Sequence, residues 1–135
     1  MAGASEIVVT LPGGRRVDAQ VGRHVVRTDQ PVDNGGEDTA PSPFQLFLAA
    51  VGTCAGIFVQ GFCAKRGLPT EGIRILERTH YGDDGTLARV ELDIEVPPSF
   101  PEKYRDALVR VADQCSVKKA IQAQPRFDVR TVVAP

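Results

Sequence analysis

The sequence predicts an α+β fold in which antiparallel strands pack on one long apolar helix and a second, shorter helical region. Three observations carry that expectation. Residues 44–64 contain no charged side chain, too long a run for a strand. Residues 87–96 alternate with period two, placing Ala88, Val90, Leu92, Ile94 and Val96 on one face and Arg89, Glu91, Asp93 and Glu95 on the other. Short β-rich runs punctuated by Gly and Pro precede the long helix. At 135 residues the chain is read as a single domain, 1–135, able to bury roughly two-thirds of its unfolded surface.

In order, Ile7 to Leu11 is β-rich, and Pro12-Gly13-Gly14 turns the chain because proline presets φ while glycine accepts positive φ. Val17 to Gln20 and His24 to Thr28 follow as two further strands, broken at Gly22, which gives an N-terminal meander. Asp29 to Pro43 is a long loop, with Pro31, Asn34-Gly35-Gly36, Pro41 and Pro43 opposing regular structure. Loops of that length in a compact domain are usually functional. Ser42 is the expected N-cap of the long helix, with Pro43 at its first position. Gly67 and Pro69 stop the helix after Lys65-Arg66, whose charges suit the negative end of its dipole.

Ile73 to Tyr81 and Leu87 to Val96 flank Gly82-Asp83-Asp84-Gly85 as a hairpin. Pro97-Pro98 ends the second strand. Ser99 and Glu102 then have the spacing of a capping box, opening a helix with Tyr104, Leu108 and Val111 on one stripe. A short helix over Val117 to Gln122 and a final strand over Phe127 to Val133 complete the order β-β-β-α-β-β-α-α-β.

Composition excludes several functions. Net charge is −1 with no basic stripe, so neither nucleic acid nor an anionic membrane surface is an expected partner. The first residues show neither a basic nor an apolar leader segment, which suggests a cytoplasmic, reducing setting. The uncharged run could cross a bilayer by length. Gln45, Thr53, Gln60, glycines 52, 56 and 61, and the lack of flanking aromatic anchors favour a core helix instead.

The candidate chemistry lies in three cysteines. Cys54 stands mid-helix, and Cys63 follows nine residues later, half a turn out of phase, so those two cannot pair within an intact helix. Cys115 falls at the break between two helical segments, beside Lys118 and Lys119. A helix N-terminus and neighbouring cations both lower a thiol pKa from about 8.5. Cys54 and Cys115 are therefore either a redox pair or two unrelated buried fillers. His24 and His80 share no ligand spacing with a cysteine, so no metal site is expected, and no motif calls for a cofactor. A serine nucleophile elbow is absent as well. Glu37 and Asp38 could orient a base, but an exposed acidic loop is the commoner reason for such a pair.

The segment Pro41-Ser42-Pro43-Phe44-Gln45-Leu46-Phe47-Leu48-Ala49-Ala50-Val51-Gly52-Thr53-Cys54 resembles the central-helix motif of the OsmC/Ohr family, the osmotically inducible protein C and organic hydroperoxide resistance proteins. Gly35-Gly36-Glu37-Asp38 resembles the loop of its OsmC-like branch, and Ala112-Asp113-Gln114-Cys115-Ser116-Val117 resembles its second-cysteine motif. The resemblance implies an intertwined homodimer and a thiol peroxidase that reduces organic hydroperoxides. Cys54 would be the peroxidatic residue and Cys115 the resolving one, with an external dithiol reductant that in the family is typically a lipoylated protein. Phe44, Phe58 and Phe62 would form an apolar, substrate-binding surround. The family also uses an arginine that stabilises the thiolate and a glutamate that holds the arginine. Arg15 best matches the arginine, ahead of Arg16, Arg23 and Arg27. Phe44 occupies the glutamate position, leaving Glu37 or Asp38 as possible carboxylate partners. Two other activities fit the same fold: non-catalytic binding of a small apolar ligand, and a thiol redox sensor.

Overall fold

The computed structural model describes residues 5–135. The chain forms two compact units, Met1–Ala49 and Ala50–Pro135. Helix α1 begins in the first and continues into the second.

In the first unit β1 (Val8–Gly13), β2 (Arg16–Val21) and β3 (His24–Thr28) form an antiparallel sheet in sequence order, with Val9 opposite Ala19 and Ala19 opposite Val26. Both connections are two-residue turns entered through positive φ, at Gly14 (60°) and Gly22 (59°). The loop after β3 is organised by one residue. Asp29 is only 1% exposed, and its carboxylate accepts hydrogen bonds from the N–H groups of Gln30 (2.8 Å), Glu37 (3.3 Å) and Thr39 (3.1 Å) and from the Thr39 hydroxyl (2.7 Å). The Thr39 bonds are the main reason its pKa falls to about 2. The loop is not wholly irregular, since Val32–Asn34 makes one 3-10 turn. Gly36 then passes so close to the Gln30 carbonyl that a β-carbon there would overlap backbone.

Helix α1 (Pro43–Lys65) starts as the sequence predicts. Ser42 Oγ accepts from the Gln45 N–H at 3.3 Å, and Gln45 Oε1 accepts from the Ser42 N–H at 3.0 Å, a reciprocal cap that satisfies two orphan donors. It ends in a Schellman motif: the Leu68 N–H reaches the Cys63 carbonyl (2.9 Å) and the Gly67 N–H reaches the Ala64 carbonyl (3.3 Å), with Gly67 at φ 63°. By length and mean hydropathy (1.9) α1 could cross a membrane. Its residues Ala55, Val59, Phe62 and Cys63 instead join Phe100, Leu108 and Ala112 in the hydrophobic core of the second unit.

That unit also holds β4 (Arg74–Tyr81) paired antiparallel with β5 (Leu87–Glu95). Ile75, Leu92, Ile94 and Val96 pack on the core. The opposite face carries two cross-strand ion pairs, Arg74 with Glu95 (2.7 Å) and Arg78 with Asp93, and a cross-strand hydrogen bond between His80 and Glu91. Helices α2 (Arg105–Ala112) and α3 (Ser116–Gln122) complete it.

Two expectations are corrected. The Ser99/Glu102 capping box does not form: Glu102–Tyr104 is a 3-10 turn whose cap residue is Pro101, without a side-chain bond, and α2 starts only at Arg105. The Phe100 N–H is already bonded to the Pro97 carbonyl, so the chain is committed to a turn where the box would need to open a helix. Phe127 to Val133 is not a strand either. Its alternating apolar residues are exposed, Val129 at 95%, and no strand among the described residues pairs with them. Alternation supplies a strand-like face, but a ladder requires a partner edge.

Candidate active site

The second unit brings Cys54 and Cys115 together. Cys54 projects from α1 and is half-buried; Cys115 is 2% exposed and caps α3. The chain reaches Cys115 at φ −48°, ψ 120°, an extended conformation that turns its side chain back over the new helix, where Sγ accepts the Lys118 N–H at 3.3 Å. The Cys115 thiol in turn donates to the Val51 carbonyl of α1 at 3.9 Å, which pins the start of α3 to the turn of α1 that carries Cys54. All three cysteines are free thiols.

The result is an N–H-rich setting for one sulfur. The backbone N–H of Val117, then the Cys115 side chain, and finally the Ser116 N–H hold the Cys54 thiol below its ordinary pKa, and burial opposes them only in part. Cys63 shows the contrast. It is fully buried, and desolvation pushes its thiol upward despite the nearby Arg66 guanidinium. One helix thus carries one thiol whose pKa is lowered and one whose pKa is raised, on opposite phases of α1.

The remaining sequence-predicted residues are dispersed. Phe58 lies one helical turn beyond Cys54 and is half-buried. Phe62 belongs to the core, with the Arg66 guanidinium 3.7 Å from its ring centroid and Tyr104 packed edge-on at 5.7 Å. Phe44 belongs to the first unit, half exposed, with its ring 5.5 Å from that of Phe47. Arg15 sits in the exposed β1–β2 turn, where its side chain runs past Gly35. Glu37 and Asp38 are exposed in the loop, and Asp38 has φ 54°. Among the described residues no three His, Cys, Asp or Glu side chains cluster as metal ligands would.

Three contributors escaped sequence reasoning. Asp29 orders the glycine-rich loop, and only its place just after a strand hinted at that role. Ser116 and Val117 act through backbone N–H groups, which no side-chain motif can reveal.

The family model described as OsmC-like protein matches residues 35–130. The chain belongs to the OsmC-like family. No curated protein matches the sequence. Solved structures of the same fold include a protein of Psychrobacter arcticus 273-4 assigned to the osmotic stress and detoxification response (22% identity, TM-score 0.74), with 89% of this chain and 90% of that one covered. An OsmC-like protein of Mycoplasma pneumoniae is 12% identical with a TM-score of 0.70, covering 92% and 91%. An organic hydroperoxide resistance protein of Elizabethkingia anophelis is 22% identical with a TM-score of 0.59, covering 92% and 93%. At such identities the likeness is one of fold, and it extends over nearly the whole of this OsmC-like chain.

Proposed function

We propose that this OsmC-like protein is a thiol peroxidase for organic hydroperoxides. The observation that carries the reading is the convergence of two thiols, 61 residues apart in sequence, with peptide N–H groups directed at the sulfur of one of them. The Cys54 thiolate attacks the peroxide O–O bond, the sulfur takes one oxygen as sulfenic acid, and the displaced alkoxide leaves as an alcohol after protonation. The Cys115 thiol then condenses with the sulfenic acid, forming the disulfide and releasing water. An external dithiol, such as that of a lipoylated protein, restores both thiols by exchange and is itself oxidised to a disulfide.

Phe58 provides an apolar neighbour for the substrate's organic group, with Phe44 and Phe62 further along the same helix. Arg15 is the proposed cationic stabiliser of the peroxide, and Glu37 or Asp38 its carboxylate partner. A homodimer is part of the same reading: Thr53, Ile57, Gln60 and Ala64 form an exposed, largely uncharged stripe on α1 that a second copy would cover. A cytosolic location suits a site that must be reduced after each turnover.

The test counts thiols and measures intact mass in the reduced protein before and after one equivalent of cumene hydroperoxide, with Cys54→Ser as control. Rapid loss of two thiols, mapped to a Cys54–Cys115 bridge and absent from the control, is the expected result. Three persistent thiols would reject the peroxidase. Arg15→Ala should slow Cys54 oxidation while leaving the fold intact, and a wild-type rate would remove Arg15 from the mechanism.

A further inference from the structure

Helix α3 begins on sulfur. A helix start leaves its first N–H groups without partners inside the helix. In α3 three of them end on the thiol pair: the Ser116 and Val117 N–H groups on Cys54 Sγ, and the Lys118 N–H on Cys115 Sγ at 3.3 Å. The Cys115 thiol also reaches the Val51 carbonyl of α1 at 3.9 Å, and its side chain bonds to the Cys54 sulfur. The first intrahelical bond follows, from the Lys119 N–H to the Cys115 carbonyl at 3.0 Å.

Little else fastens this helix. Its seven residues are too few to stay helical in water without outside support. None of them is fully buried, and Ile121 is 45% exposed. Its first turn has no acidic side chain to meet the helix dipole. The Lys118–Asp113 ion pair ties it to the residue after α2, but that pair is open to water and contributes little.

We propose that α3 reads the redox state of the pair: its first turn is held while both thiols are free and released when they bridge. The switch rests on the peroxidase reading only for its oxidant. An organic hydroperoxide takes two electrons from the two sulfurs and leaves as an alcohol and water, which carry off both thiol protons as the S–S bond forms. Bridging removes every support at once. Cys115 loses the S–H that reached Val51. Cys54 loses the negative charge that made it a strong acceptor for the Ser116 and Val117 N–H groups. Drawing the two sulfurs into a covalent bond also pulls Cys115 Sγ away from the Lys118 N–H. A released first turn uncovers Cys115, 2% exposed in the reduced protein, for the dithiol whose thiolate must reach a disulfide sulfur.

The test is residue-resolved amide hydrogen exchange on the full chain, reduced and after oxidation with diamide, an azo compound that takes two electrons and two protons from a thiol pair. Peptide mapping identifies the Cys54–Cys115 bridge. In the bridged protein the Lys118, Lys119 and Ala120 amides should exchange about fivefold faster or more, the equivalent of a lost cap, with Ala55 and Val59 of α1 unchanged. Cys115→Ser keeps a capping oxygen and cannot bridge, so its α3 should stay protected after diamide. Cys115→Ala should show fast exchange in α3 even when reduced. Unchanged α3 exchange in the bridged protein, a protected α3 in Cys115→Ala, or failure of diamide to bridge the pair would each overturn the proposal. A bridge formed by diamide but not by cumene hydroperoxide, with α3 released, would remove the peroxidase and leave the switch standing.

Discussion

Glu77 gives the most direct test of the packing between α1 and the hairpin. It lies on β4 opposite Leu92, and its carboxylate presses against the backbone of Gly52 on α1. Oε2 is buried with no hydrogen-bond partner, and desolvation raises the carboxyl pKa. Leaving a buried polar group unpaired costs about 1–3 kcal/mol. Part of this side chain still reaches water, so the low end applies, about 1 kcal/mol. Glu77→Gln keeps the shape and leaves an equally unpaired amide but removes the buried charge, and should stabilise the protein by up to that amount at neutral pH, at most about 3–4 °C in Tm for a chain of this length. The sign depends on pH. The folded carboxyl binds its proton more tightly than the unfolded one, whose pKa is about 4.3. The penalty is therefore absent below the unfolded value, grows as pH rises toward the folded value, and is constant above it. Urea unfolding followed by tyrosine fluorescence suits the measurement, because Tyr81 and Tyr104 both lie in the second unit. The gain of the variant over wild type should be full at pH 7.5 and gone near pH 4. A destabilised variant at pH 7.5 would mean that the carboxylate has an ionic partner, and an equal gain at every pH would mean that its charge is irrelevant; either refutes the reasoning.

Gly36→Ala and Gly52→Ala should behave oppositely although both crowd a neighbour inside 3.0 Å. The first meets the fixed Gln30 carbonyl and should cost about 1–3 kcal/mol or more, whereas the second displaces only the flexible end of Glu77 and gains up to about 1 kcal/mol of helix propensity; paired urea melts decide. Asp29→Asn should speed amide exchange at Glu37 and Thr39, whose N–H groups the carboxylate holds. In the wild type the Asp29 contribution is present above its unfolded pKa of about 3.9 and should be lost as pH falls through about 2, readable as exchange protection across an acid series. Ser116→Pro removes one donor to Cys54 at a first-turn position, where the extended Cys115 backbone already suits a following proline. Cys54 alkylation should shift its pH midpoint upward in that variant with α3 intact, and an unmoved midpoint would exclude the Ser116 N–H from thiolate stabilisation.

Much of the fold was legible because local chemistry and tertiary structure agree. Ser42, Pro43 and Gln45 open α1 and Gly67 closes it, all through backbone groups that a sequence reader can enumerate. The alternation of β5 was equally readable, since its polar face meets basic partners on β4. The two failures share a cause. Ser99 and Glu102 have the right types at the right spacing, yet the Phe100 N–H bond to the Pro97 carbonyl already turns the chain there, and α2 opens only at Arg105. Phe127 to Val133 has the right period but no partner edge. Short-range pattern states what a segment can do, while competition for hydrogen-bond partners decides what it does. At the site, the phase of Cys54 and Cys63 was readable from helical geometry, and so was the helix that starts at Cys115. That this helix start abuts Cys54 depends on the hairpin and α2, and no local spacing encodes it.

Within the proposed peroxidase reading, that juxtaposition also bears on Phe44, which stands where the family resemblance leads one to expect a glutamate. A carboxylate there would act on the sulfur at second hand, by holding a guanidinium. In this chain the groups that lower the Cys54 pKa are the Val117 N–H, the Cys115 side chain and the Ser116 N–H, all supplied by the first turn of α3. Peptide donors fixed by a helix start need no partner to orient them and lose little entropy when charge develops on the sulfur. The thiolate therefore has a source of stabilisation that the Phe44 replacement does not touch. In the proposed mechanism, what the replacement would remove is help in positioning Arg15 toward the peroxide oxygen. Those roles separate experimentally: Arg15→Ala should lower the rate of peroxide attack without moving the alkylation midpoint of Cys54, and Ser116→Pro should move the midpoint. A midpoint that shifts in Arg15→Ala would return thiolate stabilisation to the arginine and refute the division.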